Sequence, residues 1–348
     1  MKLGSRCIPC GDLPYENINS ATRTVAKLYE KCPYIPLLPK LDVNDSILKR
    51  TLSNIPRLAV TQSGKIAIKS EESYEHELKL LDKAFNSPKR ENLRYFGFDA
   101  VFLEKFLQMI NKFKSPNACV NLMGPFTLLH TLQDAASEQM VADKTFRKLI
   151  IQAVSVKALW IIDKIKEYNP NTVPIIMFEE PVLNKIGDLK RENAEVTIDL
   201  IVSLFSKVFE KIKQEGGAVG FQSFDKCDWQ IPIKAGVVII SFDAYNNPSN
   251  LTIIPETITD FIQHGGKINW AIVPTTSESI VKSLNIDYIT KRLLGTLDGL
   301  AISGVPHKYV YNSAVVSVQG NPKDLPLIFA EKTMILATQL SKKIPVIT

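Results

Sequence analysis

The sequence predicts an α/β fold of the (β/α)8 barrel class, and three observations carry that expectation. Eight short apolar runs recur along the 348 residues, each ending in turn residues and followed by a helix-like stretch. The runs are continuous rather than alternating, as suits strands buried on both faces. Strand and helix patterns alternate throughout, which is the signature of parallel βαβ units, and eight such units make one barrel.

The expected strands are Ser5–Cys10, Ile35–Leu38, Ala118–Met123, Val173–Phe178, Ala218–Phe224, Val237–Phe242, Ile268–Val273 and Lys308–Asn312. The helices are clearest beyond Phe98. Phe98–Phe113 places Phe98, Phe102, Phe106, Met109 and Phe113 at helical spacing, so one side faces a core. Phe146–Tyr168 is striped in the same way and stops at Asn169-Pro170-Asn171. Glu192–Glu215 stops at Gly216-Gly217, and Ile254–His264 at Gly265-Gly266, because glycine accepts the left-handed conformation past a helix end. Ile286–Ile302 ends near Gly304. One stretch breaks the rhythm: residues 42–97 are too many for a single helix between the second and third strands. Within them Arg57–Thr61 and Lys65–Lys69 flank Gln62-Ser63-Gly64, a hairpin signal, and Glu71–Phe85 reads as a polar helix. The chain is therefore expected to be one domain over residues 1–348, with an inserted β-hairpin and helix at 42–97. That insertion is expected as a flap near the barrel mouth, with a decoration of the opposite face as the alternative.

Composition bounds the function. The net charge is +6, but the 42 Lys and Arg are scattered over helices such as EKFLQMINKFK rather than gathered into the footprint that nucleic acid requires. Five cysteines make no disulfide framework in a chain of this length and point to a reducing compartment. No apolar run approaches the ~20 residues of a membrane span, and the N-terminus MKLGSRCIPCG lacks a signal-peptide core. A cytoplasmic protein that binds a small molecule, with neither nucleic acid nor membrane as partner, is the expectation.

In a (β/α)8 barrel the site lies at the C-terminal ends of the strands. Those ends read CGDLPY, LLPK, MGPFT, EEP, FQSFDKCDW, SFDAY, VPT and NSA. They bring Asp12, Glu179, Glu180 and Asp243 to one rim, and clustered carboxylates can hold an ammonium group or act as acid and base with shifted pKa values. Asp243 has a second reading as a carboxylate capping the next loop, and Glu179 as an exposed or lysine-paired residue. Tyr245 and Trp229 can wall a pocket or simply pack. Lys40 and Lys226 are the basic groups nearest the strand ends. No Ser-His-Asp order, G-x-G-x-x-G or phosphate-binding loop is present.

In order along the chain, these strand ends resemble the superfamily of cobalamin-independent methionine synthase and uroporphyrinogen decarboxylase, and above all its short single-barrel methionine-synthase-like members. The family's GSLPH is similar to Gly11-Asp12-Leu13-Pro14-Tyr15, its IPFWPQLP to Ile35–Leu41, its TGP to Met123-Gly124-Pro125 and its DEP to Glu179-Glu180-Pro181. HxCGNTDW is similar to Gln222–Trp229, FDAY to Phe242–Tyr245 and WGIVPT to Trp270–Thr275. The resemblance implies a TIM barrel, methyl transfer to a thiol such as that of homocysteine, and a carboxylate at Glu180 that contacts the amino acid's ammonium. It also implies a methyl-donor partner that the sequence does not name. Their place at the strand ends puts Asp12, Tyr15, Lys40, Glu179, Gln222, Trp229 and Tyr245 around the expected substrate.

The departures matter for the chemistry. The family's zinc is held by a His and a Cys of HxC, by a Cys after the eighth strand and, in methionine synthase, by a carboxylate of the sixth. Here Gln222, Phe224 and Ala314 stand at the first three positions and only Asp243 remains, whereas zinc favours thiolate and imidazole. The resemblance thus implies no metal and no other cofactor. A relocated site from Cys10, Cys227 and Asp243 is the weaker alternative. The Cys7–Cys10 pair on a strand directs its sulfurs to opposite faces, and Cys32 and Cys119 are expected in the core. Two further classes stay open: a metal-free lyase of the decarboxylase branch, for which Arg6 and Arg23 are poorly placed anchors, and a barrel that binds without catalysis.

Overall fold

The structure, a computed structural model, describes residues 3–62, 64–69, 74–132, 140–192 and 194–347. The chain opens with α1 (Ile18–Leu28) and α2 (Ile47–Leu52), then a hairpin of β1 (Leu58–Val60) and β2 (Ile66–Ile68). There follow α3 (Glu75–Asn86), α4 (Arg90–Leu93), α5 (Leu103–Phe113), β3 (Asn117–Met123), α6 (Pro125–Thr131), α7 (Lys144–Tyr168) and β4 (Val173–Glu179). Next come α8 (Ile186–Glu192), α9 (Ile198–Gln214), β5 (Ala218–Gln222), α10 (Gln230–Ala235), β6 (Ile239–Asp243), α11 (Pro255–Gln263) and β7 (Lys267–Val273). The chain finishes with α12 (Glu278–Ser283), α13 (Ile286–Ile302), α14 (His307–Ser313), β8 (Ala314–Val318) and α15 (Leu327–Ser341).

Strands β3 to β8 form one curled sheet in chain order, every pair parallel. The α/β, barrel-like class holds, but the sheet is not the closed eight-stranded barrel that the sequence predicts. Ser5–Cys10 and Ile35–Leu38 are not regular strands. The first makes a single bridge, Cys7 to Val316 of β8, and the second stretch is joined by a bridge from Tyr34 to Cys119 of β3. The cause is proline. Ile8 donates to Val316 O at 3.0 Å and Arg6 O accepts from Val316 N at 2.8 Å, so the stretch bonds β8 through its even-numbered residues, and Pro9 removes the N–H that would face the second stretch. Pro33 accepts from Cys119 N at 2.8 Å, and Pro36 and Pro39 then interrupt the donors of the second stretch. The two stretches touch through Leu13 N to Leu37 O at 2.9 Å.

A second correction concerns the last strand. Lys308–Asn312 lies in α14, and the strand is Ala314–Val318. Pro306 precedes the helix and leaves its first-turn orphan position unharmed, while the β-branched Val315, Val316 and Val318 suit the strand. Elsewhere the sequence signals hold: Gly216, with φ of 72°, ends α9 as Gly217 N reaches back to Ile212 O at 2.9 Å. Asp143 caps α7 through Thr145 N at 2.6 Å and Phe146 N at 2.9 Å.

The hairpin forms at Leu58–Val60 and Ile66–Ile68, and the polar helix is seen from Glu75; the start expected at Glu71 falls outside the described residues. The insertion lies chiefly along α7. Arg57 sits over the ring of Phe146 at 5.2 Å, Asp82 of α3 accepts from Gln152 at 2.8 Å, and Arg90 bonds Asp163 at 3.0 Å near the far end. This explains why α7 is buried almost throughout from Phe146 to Ile165: the sheet covers one side and the insertion the other. The first part of the insertion reaches the strand ends, where Asp45 accepts from Leu38 N at 3.1 Å and Thr51 Oγ1 of α2 accepts from Met123 N at 2.9 Å. Among the described residues no helix is long and apolar enough to cross a membrane.

Candidate functional site

The C-terminal ends of β3 to β8 carry a layer of polar side chains. Asn121 of β3 donates to Glu179 Oε1 of β4 at 2.7 Å, and among the described residues the second oxygen of Glu179 has no hydrogen-bond partner. Burial pushes the Glu179 carboxyl up to about 7, nearby Asp12 adds to the rise, and Asn121 and Arg50 oppose it. Asp12 follows the first stretch and is fixed by Asn321 from the loop after β8, with Nδ2 to Oδ2 at 2.6 Å and a return bond from Asp12 N at 2.8 Å. Cys10 Sγ lies 3.5 Å from Gln222 Oε1. Beneath them Asn269 Nδ2 joins Ser241 Oγ at 2.8 Å and Ser317 Oγ at 2.9 Å, a buried polar layer under the rim.

Between Asp12, Tyr34, Arg50, Asn121 and Glu179 lies a narrow cavity of about 10 Å³, room for roughly one water molecule. The hydroxyl of Tyr34 and Nε of Arg50 are buried around it without protein partners. Sequence reasoning missed Tyr34, Arg50 and Asn121. Tyr34 directly precedes the expected second strand and Asn121 lies within the third, both outside the strand ends that the barrel pattern singles out, and Arg50 arrives from the insertion, which no barrel pattern places. Its guanidinium donates to Ile35 O at 2.9 Å and Pro36 O at 3.3 Å and pairs with Asp45 at 3.6 Å.

Glu180 is not at the rim. It is fully buried and accepts from Phe126 N at 2.9 Å, Thr127 N at 2.7 Å and Thr127 Oγ1 at 2.6 Å. All three donors belong to the first turn of α6, so this carboxyl group anchors a helix start by accepting its orphan N–H groups and has no face left for a substrate ammonium. Asp243 takes the capping reading: Oδ1 accepts from Asn246 N at 2.9 Å, and Oδ2 from Asn246 Nδ2 at 2.7 Å and Gln319 Nε2 at 3.2 Å. Tyr15 is buried and donates to Glu331 at 2.6 Å, away from the rim, and Trp229 is a core residue stacked edge-on against Phe221 and Phe242. Lys40 is exposed beside Glu16 at 3.7 Å, and Tyr245 lies under the guanidinium of Arg292 at 4.4 Å. Of the expected set, Asp12, Glu179, Gln222 and Asp243 belong to the rim.

The donor set does not fit a zinc ion. Ala314 begins β8, at the end of the sheet opposite the rim, so the pairing with the family's final Cys fails; Gln319 follows the rim end of that strand. Phe224 packs against the core and both oxygens of Asp243 are engaged. Burial raises the thiols of Cys10 and Cys227 well above their ordinary value, which disfavours the thiolates that metals need. Among the described residues no group of three or more His, Cys, Asp or Glu is placed to hold a metal. Elemental analysis of the purified chain is expected to find zinc far below one equivalent. A stoichiometric metal lost on Cys10→Ala or Cys227→Ala would reinstate the relocated site.

No family model and no curated protein matches the chain. Among solved structures it is similar to a native Bacteroidetes-affiliated GH5 cellulase linked with a polysaccharide utilization locus. That similarity has a TM-score of 0.40 and 10% identity over 73% of this chain and 75% of that one. At that level it carries no argument about function.

Proposed function

We propose that this chain is a methionine-synthase-like barrel of the methyltransferase superfamily that has lost the zinc chemistry and binds a small cationic or zwitterionic molecule, amino acid-like in size, at the rim. In this reading Ser5–Cys10 and Ile35–Leu38 are the first two barrel strands with their regular pairing eroded by proline; the bridges to β8 and β3 support it. The observation that carries the ligand class is Glu179, a carboxyl poised near neutrality with one oxygen held by Asn121 and the other without a partner among the described residues. Asp12 stands nearby in its electrostatic surroundings, and Arg50, the neighbouring cation, is spent on backbone carbonyls and Asp45. A group of this kind can receive or return a proton near neutral pH. It does so here without thiol activation by a metal, so turnover of homocysteine by the family's route is not expected.

The decarboxylase-like reading needs several guanidinium groups to grip several substrate carboxylates, and the one at this cavity, Arg50, has both terminal nitrogens engaged and only its Nε unpartnered among the described residues. The test is calorimetry with homocysteine, methionine and a porphyrin tetracarboxylate. The amino acids are expected to bind, with an inflection in affinity near pH 7 that Glu179→Gln removes along with about tenfold of the affinity, the scale of one charge-assisted hydrogen bond. Tight binding of the porphyrin with none of the amino acids would replace this reading with the lyase.

A further inference from the structure

The end of the sheet away from the rim carries a cavity of about 660 Å³ between α1, α15 and the first stretch of chain. Its volume is within the ~300–1,000 Å³ of small-molecule sites. It is lined by Arg6, Lys27, Lys31 and Lys342, with Glu30 as the one acidic wall residue, and by the apolar side chains of Leu28 and Ile335. Cations at helix C-termini are ordinarily explained by the helix dipole, and both α1 and α15 end here. The two dipoles supply about one negative charge together. Set against four cations and one glutamate, they leave a surplus of about two positive charges at this face.

Among the described residues the surplus is not neutralised. Arg6 Nη1 donates to three carbonyls, Tyr311 O at 3.3 Å, Ile344 O at 3.4 Å and Pro345 O at 3.3 Å, and to no carboxylate. Lys267, at the start of β7, is likewise held by a carbonyl, Asn312 O at 3.1 Å. Its pKa is lowered first by burial and then by the charge of Arg6, so two half-buried cations feel one another with no counter-ion between them. Among the described residues Lys27, Lys31 and Lys342 form no ion pair.

We propose that this cavity binds a small organic phosphate, with the dianionic group on the Arg6, Lys27, Lys31 and Lys342 wall and the organic part on Leu28 and Ile335. Dianion charge matches the surplus, and the volume exceeds what inorganic phosphate alone fills. The site is independent of the rim.

The test is calorimetry on the full chain with adenosine 5′-monophosphate and with inorganic phosphate, at low and high salt. Saturable binding that weakens as salt rises is expected, tighter for the nucleotide. A Lys27→Gln/Lys342→Gln variant should lose at least about tenfold in affinity, since charge-assisted hydrogen bonds are the strong ones. Both lysines are exposed, so this variant should keep the wild-type melting temperature in the absence of ligand. Glu179→Gln should bind the phosphate as the wild type does. No binding of either probe, or binding that the lysine variant leaves intact or that Glu179→Gln abolishes, would overturn the proposal.

Discussion

Replacing Glu180 by Ala is expected to destabilise the protein by about 4 kcal/mol, because it orphans buried donors and empties volume in a site closed on all sides. Two backbone N–H groups of α6 and the Thr127 hydroxyl lose their acceptor at once. Glu180→Gln keeps the shape and one acceptor oxygen, and should cost about half as much. Gly124→Ala gives an independent test of the same anchor. Gly124 has an ordinary φ of −75°, so alanine brings no backbone strain. Its Cβ would, however, stand 2.0 Å from Glu180 Oε1. Urea unfolding midpoints of the three variants should fall in the order Glu180→Ala and Gly124→Ala well below Glu180→Gln, and Glu180→Gln below wild type. A Glu180→Ala variant as stable as the wild type would return this residue to the rim and to a ligand.

The buried carboxyls also set a pH dependence. Burial raises Glu179 to about 7 and Glu180 to about 8 from an ordinary 4.5. Between 4.5 and those values the folded protein holds more protons than the unfolded chain, so their contribution is whole below about 4.5 and is lost as pH rises through 7 to 8. Lys157 acts in the opposite sense. Burial lowers it to about 7 from 10.5, so the unfolded chain holds more protons between those values and stability recovers as pH rises. Taken alone, these three groups give a stability minimum between the two arms, near pH 7 to 8. Glu179→Gln should flatten the acid arm and Lys157→Met the alkaline one.

What was legible in the sequence was whatever rests on local pattern. The strands β3 to β7 are apolar runs long enough to pair on both sides, and helix ends at Gly216 and Gly265 follow from backbone conformation alone. The first two strands misled because an apolar run reports burial, whereas a ladder also needs donors, which Pro9 and Pro36 remove. The last strand misled by register: Tyr309, Val310 and Tyr311 read as a strand, yet the ladder uses Ala314–Val318. That shift moved Ala314 from the rim to the opposite end and undid one of the inferred ligand positions. For the site, adjacency in sequence hid a division of labour. Glu179 ends a strand and turns to Asn121, while its neighbour Glu180 turns the other way into α6; only the path of the chain separates them.

The insertion should come loose when Lys157 is changed. This lysine is fully buried in the middle of α7, and its ammonium meets Ser53 O and Phe96 O, each at 2.6 Å, with Ser53 Oγ and Gly97 O at 3.2 Å. Those partners bracket the insertion: Ser53 closes α2 on one side, and Phe96 and Gly97 precede α5 on the other. One cation on the helix therefore ties both ends of the added segment to the barrel layer. Lys157→Met removes the cost of burying charge but strands two carbonyls, since Gly97 O keeps a bond from Asn54 at 3.1 Å and the Ser53 hydroxyl can turn. At about 1–3 kcal/mol for each stranded group, less the desolvation relieved, a net loss of about 2 kcal/mol is expected. The loss should be local before it is global. Hydrogen exchange should rise across 47–97 and limited proteolysis should cut there first, while β3 to β8 keep their protection. Unfolding of the whole chain in a single step, with the insertion no more labile than the sheet, would show that the segment is held by its apolar contacts with α7 rather than by this lysine.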